Sequence, residues 1–159
     1  MIFPRCKQVI FFFFISGLAG CNSDYSFTRI KEIPDSGWSK DSTVSFDFKI
    51  NRPVSPVDLM YQVQFNPDYS FENIWLDYKL VGPKGDVLTA SRDNLNLFEP
   101  KTGKHLGEGS KDRIYLDAYF LKGIRLKDTG HYRLDVRHYM RQDNLSGIQS
   151  LGLKIRPSE

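Results

Sequence analysis

The sequence predicts an all-β protein, a single antiparallel β-sandwich of immunoglobulin-like or jelly-roll-like type. Apolar and polar residues alternate with a period of two in successive short segments, as in strands with one buried face. Turn-forming Gly, Pro, Asn and Asp residues separate these segments, and no stretch carries the apolar repeat of a long amphipathic helix. About eight short strands arranged in this way are typical of a β-sandwich.

The strands are expected in order along the chain. They are predicted at 44–50, 59–65, 69–81, 87–91, 94–98, 114–126, 132–138 and 151–155. The sequence 82–86, Gly-Pro-Lys-Gly-Asp, is a strong turn signal and predicts a hairpin between the third and fourth of them. Residues 99–111 are glycine-rich and polar, so we expect a long loop there.

A tyrosine at the start of the strand 132–138 indicates a specific turn. The pattern Asp128-x-Gly130-x-Tyr132 is similar to the tyrosine corner of immunoglobulin-like sandwiches, in which the hydroxyl ties a loop to the next strand. Leu134 stands where antibody domains have a cysteine, which suits a sandwich without a disulfide. A coincidental turn followed by a strand remains the alternative.

The N-terminal region predicts export and lipid attachment. Leu18-Ala19-Gly20-Cys21 resembles a bacterial lipobox, whose cysteine receives lipid and becomes the new N-terminus. A basic start and an apolar run of about ten residues precede it, as in a cleaved signal peptide. The run is shorter than the about 20 apolar residues of a spanning helix. Residues 1–20 are therefore predicted to be a signal peptide, and Cys21 the lipidation site.

Composition restricts the function of the remainder. Residues 1–20 contain two of the 22 basic residues and none of the 19 acidic ones, so the formal charge falls from +3 to +1 on their removal. This near-neutral charge argues against nucleic-acid binding. Cys6 leaves with the signal peptide and Cys21 carries lipid, so the domain forms no disulfide of its own and depends on packing.

The predicted domain organisation has three parts. Residues 1–20 form the signal peptide, 21–41 the lipidated N-terminus and a flexible tether, and 42–159 the β-sandwich. The tether is polar and contains Pro34 and Gly37. A flexible chain of that length reaches some tens of ångströms. Trp38 is the exception within it and is expected to close one end of the core.

Catalytic and metal-binding patterns are weak. His131 and His138 lie an odd number of residues apart on one predicted strand and so point to opposite faces, and His105 has no nearby metal-ligand partner in the sequence. The mid-strand carboxylates Asp77 and Asp117 have the spacing of ordinary solvent-facing residues, as does Asp135. We therefore predict no enzyme, no metal, no cofactor and no small-molecule ligand.

An aromatic cluster is the strongest candidate for a contact site. On the predicted strand 69–81, Tyr69, Phe71 and Trp75 fall on one face, while apolar residues occupy the other. Such a strand is either central and covered or presents an aromatic platform to a sugar or a protein partner. Both alternatives remain open at this stage.

Several motifs, in order, resemble the gliding motility lipoprotein GldH family of Bacteroidota. Residues 69–76, Tyr-Ser-Phe-Glu-Asn-Ile-Trp-Leu, are similar to that family's Tyr-Pro-aromatic-x-Asn-Leu-aromatic segment, with Ser70 in place of proline. Residues 103–109 are similar to its Gly-x-Trp-Leu-Gly-x-Gly loop, with His105 in place of tryptophan. Gly130-x-Tyr132, the segment 138–148 and Gly152-Leu153 complete the order.

The resemblance implies a non-catalytic envelope lipoprotein associated with gliding and with type IX secretion. Its implied partners are the membrane, through the lipid on Cys21, and other envelope proteins of that machinery. Asn22 follows Cys21 and no acidic run comes after it, so we expect an outer-membrane site facing the periplasm. A carbohydrate-binding surface lipoprotein of a glycan-uptake system is the alternative, and an envelope hydrolase is the least supported.

Overall fold

The structure, a computed structural model, describes residues 25–52, 54, 56–110 and 112–158. The predicted signal peptide and Cys21 lie outside these residues. The described residues form eleven strands: β1 Phe27–Glu32, β2 Trp38–Ser39, β3 Val44–Ile50, β4 Val57–Phe65, β5 Asn73–Val81, β6 Val87–Asn96, β7 Glu108–Ser110, β8 Arg113–Ile124, β9 Gly130–His138, β10 Asn144–Leu145 and β11 Ile148–Pro157. Across the same residues no helix has the length and apolarity needed to cross a membrane.

The predicted all-β sandwich is confirmed, and its strand order is that of a jelly roll. One sheet has the order β1-β11-β4-β8-β7 and the other β3-β9-β5-β6, with β2 and β10 forming a small ribbon. Successive long strands alternate between the two sheets, except that β5 and β6 form a hairpin within one. This double-sheet arrangement favours the jelly-roll alternative over the immunoglobulin-like one.

The period-two pattern places one face of β3, β5 and β9 in the core. In β3 the residues Phe46, Phe48 and Ile50 are buried while Asp47 and Lys49 are exposed. Strands β5 and β9 alternate in the same way, so their odd-numbered residues face outward. The core is continuous between the two sheets and contains no cysteine, so apolar burial supplies the stabilisation that a disulfide provides elsewhere.

The predicted tether is too long. Residues 27–32 form β1, which pairs antiparallel with β11 from Phe27 opposite Ile155 to Glu32 opposite Ser150. Phe27 also packs its ring 5.7 Å from that of Phe48 on the other sheet. The boundary expected at 41/42 therefore lies inside the folded domain, because backbone pairing holds a segment that lacks apolar alternation.

Other boundaries also move. The fragments predicted at 87–91 and 94–98 join into one strand, β6, which is mostly exposed and lies at a sheet edge. The predicted loop 99–111 contains β7, and its backbone also forms a bridge between Phe98 and His105. The strand predicted to begin at residue 69 begins instead at Asn73.

The sandwich has two unlike ends. The hairpin end carries the start of β1 and the short β3–β4, β5–β6 and β8–β9 connections. The loop end carries the longer β1–β3, β4–β5, β6–β8 and β9–β11 connections. At the hairpin end the Tyr132 hydroxyl donates to the Asp128 carbonyl at 2.7 Å, so the hydrogen bond of the predicted tyrosine corner is present although the strand order is not immunoglobulin-like.

Trp38 closes the loop end, as the sequence predicts. Its side chain is 1% exposed and its indole N–H donates to the Ser42 carbonyl at 3.1 Å. Its ring meets that of His138 edge to face, with centroids 5.5 Å apart.

Candidate functional site

A groove on the outer face of the four-stranded sheet, close to the loop end, is the main candidate for a contact site. It encloses about 510 Å³. We call it the Trp75 groove; it is lined by Phe71, Asn73, Trp75, Arg92, Tyr139, Met140, Arg141 and Gln142. Its walls come from β5, from the residues just before it, from β6 and from the segment after β9, so strand pairing brings together parts that are distant in the sequence.

Trp75 forms one aromatic wall. It is an odd-numbered residue of β5 and therefore faces outward, with 39% of its surface exposed. Both of its backbone polar groups are bonded to the segment after β9, because its N–H donates to the Met140 sulfur at 3.4 Å and its carbonyl accepts from the Tyr139 N–H at 2.7 Å. The ring is thus presented on a rigid strand rather than on a loop.

Arg92 and Tyr139 form the facing wall. The Arg92 guanidinium carbon lies 3.2 Å from the centre of the Tyr139 ring, in a cation–π contact. Its Nε also donates to Asp77 Oδ1 at 2.6 Å, and Arg137 approaches the same carboxylate at 3.5 Å. The hydrogen bond from Arg92 lowers the pKa of Asp77, so the pair stays charged and holds the guanidinium in place.

The aromatics predicted to share one strand face do not do so. Tyr69 and Phe71 precede β5; Tyr69 is 6% exposed, and its hydroxyl donates to the Asn73 carbonyl at 3.0 Å. Burial raises the pKa of Tyr69 well above that of a free tyrosine. Phe71 meets the Tyr69 ring at 5.6 Å and lines the Trp75 groove. Tyr69 therefore supports the site from within, while Trp75 and Phe71 face it.

Sequence reasoning missed the partners of Trp75. Tyr139 is 49% exposed and lies just beyond β9, where it continues the outward parity of His131, Arg133, Asp135 and Arg137. The period-two pattern of the sequence could therefore have identified Tyr139 as an outward-facing residue. Arg92, by contrast, comes opposite Asp77 only through the register of β5 and β6, which no local pattern reveals.

The three histidines lie apart. His131 is exposed and His138 is 1% exposed on the same strand, which confirms their opposite faces. His138 Nε2 lies 3.0 Å from the Trp38 carbonyl, and Nδ1 accepts the Met140 N–H at 3.3 Å. Burial lowers the pKa of His138, so the ring is neutral with its proton on Nε2. His105 Nδ1 lies 2.7 Å from the Gly107 carbonyl.

The mid-strand carboxylates are engaged in ordinary surface pairs. Asp117 accepts from Lys154 at 2.6 Å, and Asp135 accepts from the Ser45 hydroxyl at 2.6 Å. Asp77 forms an ion pair with Arg92 on the four-stranded sheet, whereas Asp117 lies on the five-stranded sheet. Within residues 25–52, 54, 56–110 and 112–158, no three His, Cys, Asp or Glu side chains converge to hold a metal ion.

The glycines of the loop before β8 are required by close approach. A Cβ at Gly107 would lie 2.5 Å from the Tyr115 carbonyl oxygen, and one at Gly109 would lie 2.1 Å from that of Arg113. Gly109 also has φ +149°, a conformation that favours glycine. The two glycines therefore let β7 lie against β8, a structural role rather than a ligand-binding one.

Comparison with known proteins gives a consistent family. The family model described as GldH lipoprotein matches residues 25–155. The gliding motility lipoprotein GldH homolog of Christiangramia forsetii is 24% identical over 157 residues, covering 94% of each chain. The gliding motility lipoprotein GldH of Flavobacterium johnsoniae is 24% identical over 149 residues, covering 89% of this chain and 91% of that protein. Among solved structures, the infectious bursal disease virus VP2 subviral particle aligns with a TM-score of 0.40 at 11% identity, over 84% of this chain and 33% of that chain.

Proposed function

The chain belongs to the GldH lipoprotein family, and on that basis we propose that it is a non-catalytic, membrane-anchored lipoprotein that supports gliding motility and the type IX secretion machinery. The observation that carries the proposal is the match of the family model to residues 25–155, together with two relatives named for gliding motility. Its partners are then other envelope proteins of that machinery.

The anchor in this proposal is Cys21. A diacylglyceryl group joined to its thiol by a thioether, with or without a further acyl chain on the amine freed by signal-peptide cleavage, places two or more acyl chains in the bilayer, which gives stable attachment where a single chain is marginal. We place the domain at the outer membrane, facing the periplasm. Replacing Cys21 by alanine should move the protein from the membrane fraction to the soluble one and remove the lipid mass from its N-terminal peptide.

The Trp75 groove is the proposed partner contact. Trp, Tyr and Arg are the residues that dominate binding energy at protein interfaces, and here Trp75, Tyr139 and Arg92 are part-exposed and adjacent. Their geometry is fixed by strand pairing and by the Asp77 ion pair, so little conformational entropy is lost when a partner binds.

The test uses one altered side chain with a matched control. A deletion strain is complemented with Trp75→Ala or with Tyr115→Ala, whose ring is 40% exposed on the outer face of the other sheet. We expect Trp75→Ala to reduce surface spreading and secretion while Tyr115→Ala restores both, at equal protein levels. A deletion strain that spreads and secretes normally would contradict the proposed function itself. Equal rescue by both variants would contradict only the role of the groove.

Carbohydrate binding is the second candidate, favoured by one observation. Trp75 and Tyr139 expose ring faces beside the polar groups of Asn73, Asp77 and Arg92, a combination that can stack on a sugar ring and bind its hydroxyls. Glycan-array binding by the wild type that is lost in a folded Trp75→Ala variant would support it. A blank array would leave the protein-partner role as the function of the groove.

A further inference from the structure

The distance between the proposed anchor and the folded domain is short. Tyr25 is the first described residue, and it already packs against the core, where burial raises its pKa. Four residue steps separate it from Cys21, and a fully extended chain spans at most about 3.6 Å per residue, so the two α-carbons lie within about 14 Å of each other. If Cys21 carries lipid, as the proposed function states, the sandwich therefore lies at the bilayer surface rather than some tens of ångströms from it.

The end of the sandwich nearest the anchor follows from the strand register. Tyr25 leads directly into β1, whose first residue lies opposite Ile155 near the end of β11, at the hairpin end. The connections at that end are held together: Lys84 donates to Asp128 at 3.0 Å, and a Cβ at Gly130 would lie 2.7 Å from the Pro83 ring. The β5–β6 and β8–β9 connections thus form one continuous surface at this end.

Two apolar side chains on this surface are exposed to solvent. Val87 is 57% exposed and Leu88 is 43% exposed, and both follow the β5–β6 turn directly. An exposed pair of aliphatic residues at a hairpin tip is suited to the boundary between lipid headgroups and acyl chains.

The hairpin end is more basic than the loop end, and an anionic membrane surface attracts the more basic end. In the described connecting segments of the hairpin end, four basic residues face two acidic ones: Arg52, Lys84, Arg125 and Lys127 against Asp86 and Asp128. The described connecting segments of the loop end, with β2, β7 and β10 included, hold four basic residues against eight acidic ones. Basic residues close to an anionic surface are attracted to it, so this difference favours the hairpin end as the side that faces the membrane.

We infer that the hairpin end is a second membrane-contact site, which rests on the anionic phospholipid headgroups of the leaflet that holds the Cys21 lipid. In that position Val87 and Leu88 reach the headgroup layer and the basic connections lie over it. Six residue steps along β5 separate Trp75 from Val81 at the hairpin end, so the Trp75 groove is held about 20 Å above the surface. The inference rests on the proposed lipidation and goes beyond it by fixing which end meets the membrane.

The experiment uses the lipidated protein in vesicles of phosphatidylethanolamine and phosphatidylglycerol that contain nitroxide-labelled lipid. The sequence has two cysteines; Cys6 is removed with the signal peptide and Cys21 is alkylated, so an introduced cysteine is the single reactive thiol. A fluorophore is attached to Val87→Cys, to Leu106→Cys and to Ile30→Cys. These positions are 57%, 50% and 45% exposed and lie at the hairpin end, at the loop end and on the flank of β1.

We expect quenching at position 87 to exceed that at positions 106 and 30 by at least about twofold, and to weaken when phosphatidylcholine replaces phosphatidylglycerol. Quenching that is equal at the three positions, or strongest at 106 or 30, overturns the end-on contact while leaving the anchor intact. Quenching at 87 that does not depend on the anionic lipid overturns the choice of anionic headgroups. A wild-type protein that does not float with the vesicles overturns the lipid anchor, and with it this inference.

Discussion

Replacing His138 with leucine tests whether a neutral, buried imidazole holds the loop end closed. The ring bonds the Trp38 carbonyl at 3.0 Å and the Met140 N–H at 3.3 Å, and it meets the Trp38 indole edge to face. Leucine retains apolar burial but leaves both backbone groups without a partner, at about 1–3 kcal/mol each, and loses the aromatic contact of about 1 kcal/mol. We expect a loss of about 3–7 kcal/mol, which lowers Tm by about 10 °C or more in a domain of this size.

The same substitution should change how stability depends on pH. Burial lowers the pKa of His138 in the folded state, so the unfolded chain binds the proton more readily. Stability is therefore fully present above the unfolded pKa of about 6.5 and is lost as pH falls from there towards the folded pKa, by at most about 1.4 kcal/mol per pH unit. His138→Leu removes this contribution.

Urea denaturation at pH 7.5 and 5.5, followed by the fluorescence of buried Trp38, measures both effects. His131→Leu is the control, because His131 is exposed on the opposite face of the same strand. Its unfolding should keep the wild-type pH dependence. The reasoning is refuted if His138→Leu unfolds within about 1 kcal/mol of the wild type, or if the two proteins lose stability in parallel between the two pH values.

Three further substitutions test single interactions. Tyr132→Phe removes the hydrogen bond to the Asp128 carbonyl and should cost about 1 kcal/mol in urea denaturation; an unchanged midpoint would show that the corner contributes nothing. Gly109→Ala forces a Cβ against the Arg113 carbonyl and should speed amide exchange in β7 and β8. Gly103→Ala also places a Cβ at a positive φ, of +67°, but with open space around it, so it should speed that exchange much less. Burial raises the pKa of Asp93, which accepts from the Tyr61 hydroxyl at 3.2 Å, so the contribution of this carboxyl to stability falls as pH rises above about 4. Asp93→Asn should therefore raise the unfolding midpoint at about pH 7 but not at about pH 3. A gain of equal size at both pH values would contradict an electrostatic cause.

Alternation was enough to predict strands in which one face is buried and the other is exposed. β3 and β9 are of this kind, so the sequence records their two sides in period two, although β3 lies at a sheet edge. β1 and β6 also lie at sheet edges, but most of their residues are exposed on both faces. Edge strands of this kind are held by backbone hydrogen bonds, which leave little mark on side-chain hydropathy, and this is why β1 resembled a tether.

The candidate site was predicted in part for a related reason. Trp75 was identified from its aromatic character, but its partners depend on pairings with β6 and β9, far away in the sequence. Tyr69 and Phe71 were placed on the strand because aromatic residues favour strands. In the structure the Tyr69 side chain bonds the Asn73 backbone instead, which holds the chain in a turn.

The position of the last strand affects the order in which the molecule can fold. β11 lies between β1 and β4 in the sheet. It pairs with β1, so that Phe27, near the start of the domain sequence, lies opposite Ile155, near its end. In a chain that emerges from a translocation channel N-terminus first, β1 and β4 have no common neighbour until β11 has followed. Closing so long a loop is slow, because its entropy is lost before the contacts form. β1 therefore cannot join the sheet until β11 is available, so the segment that follows Cys21 is among the last parts of the domain to be ordered.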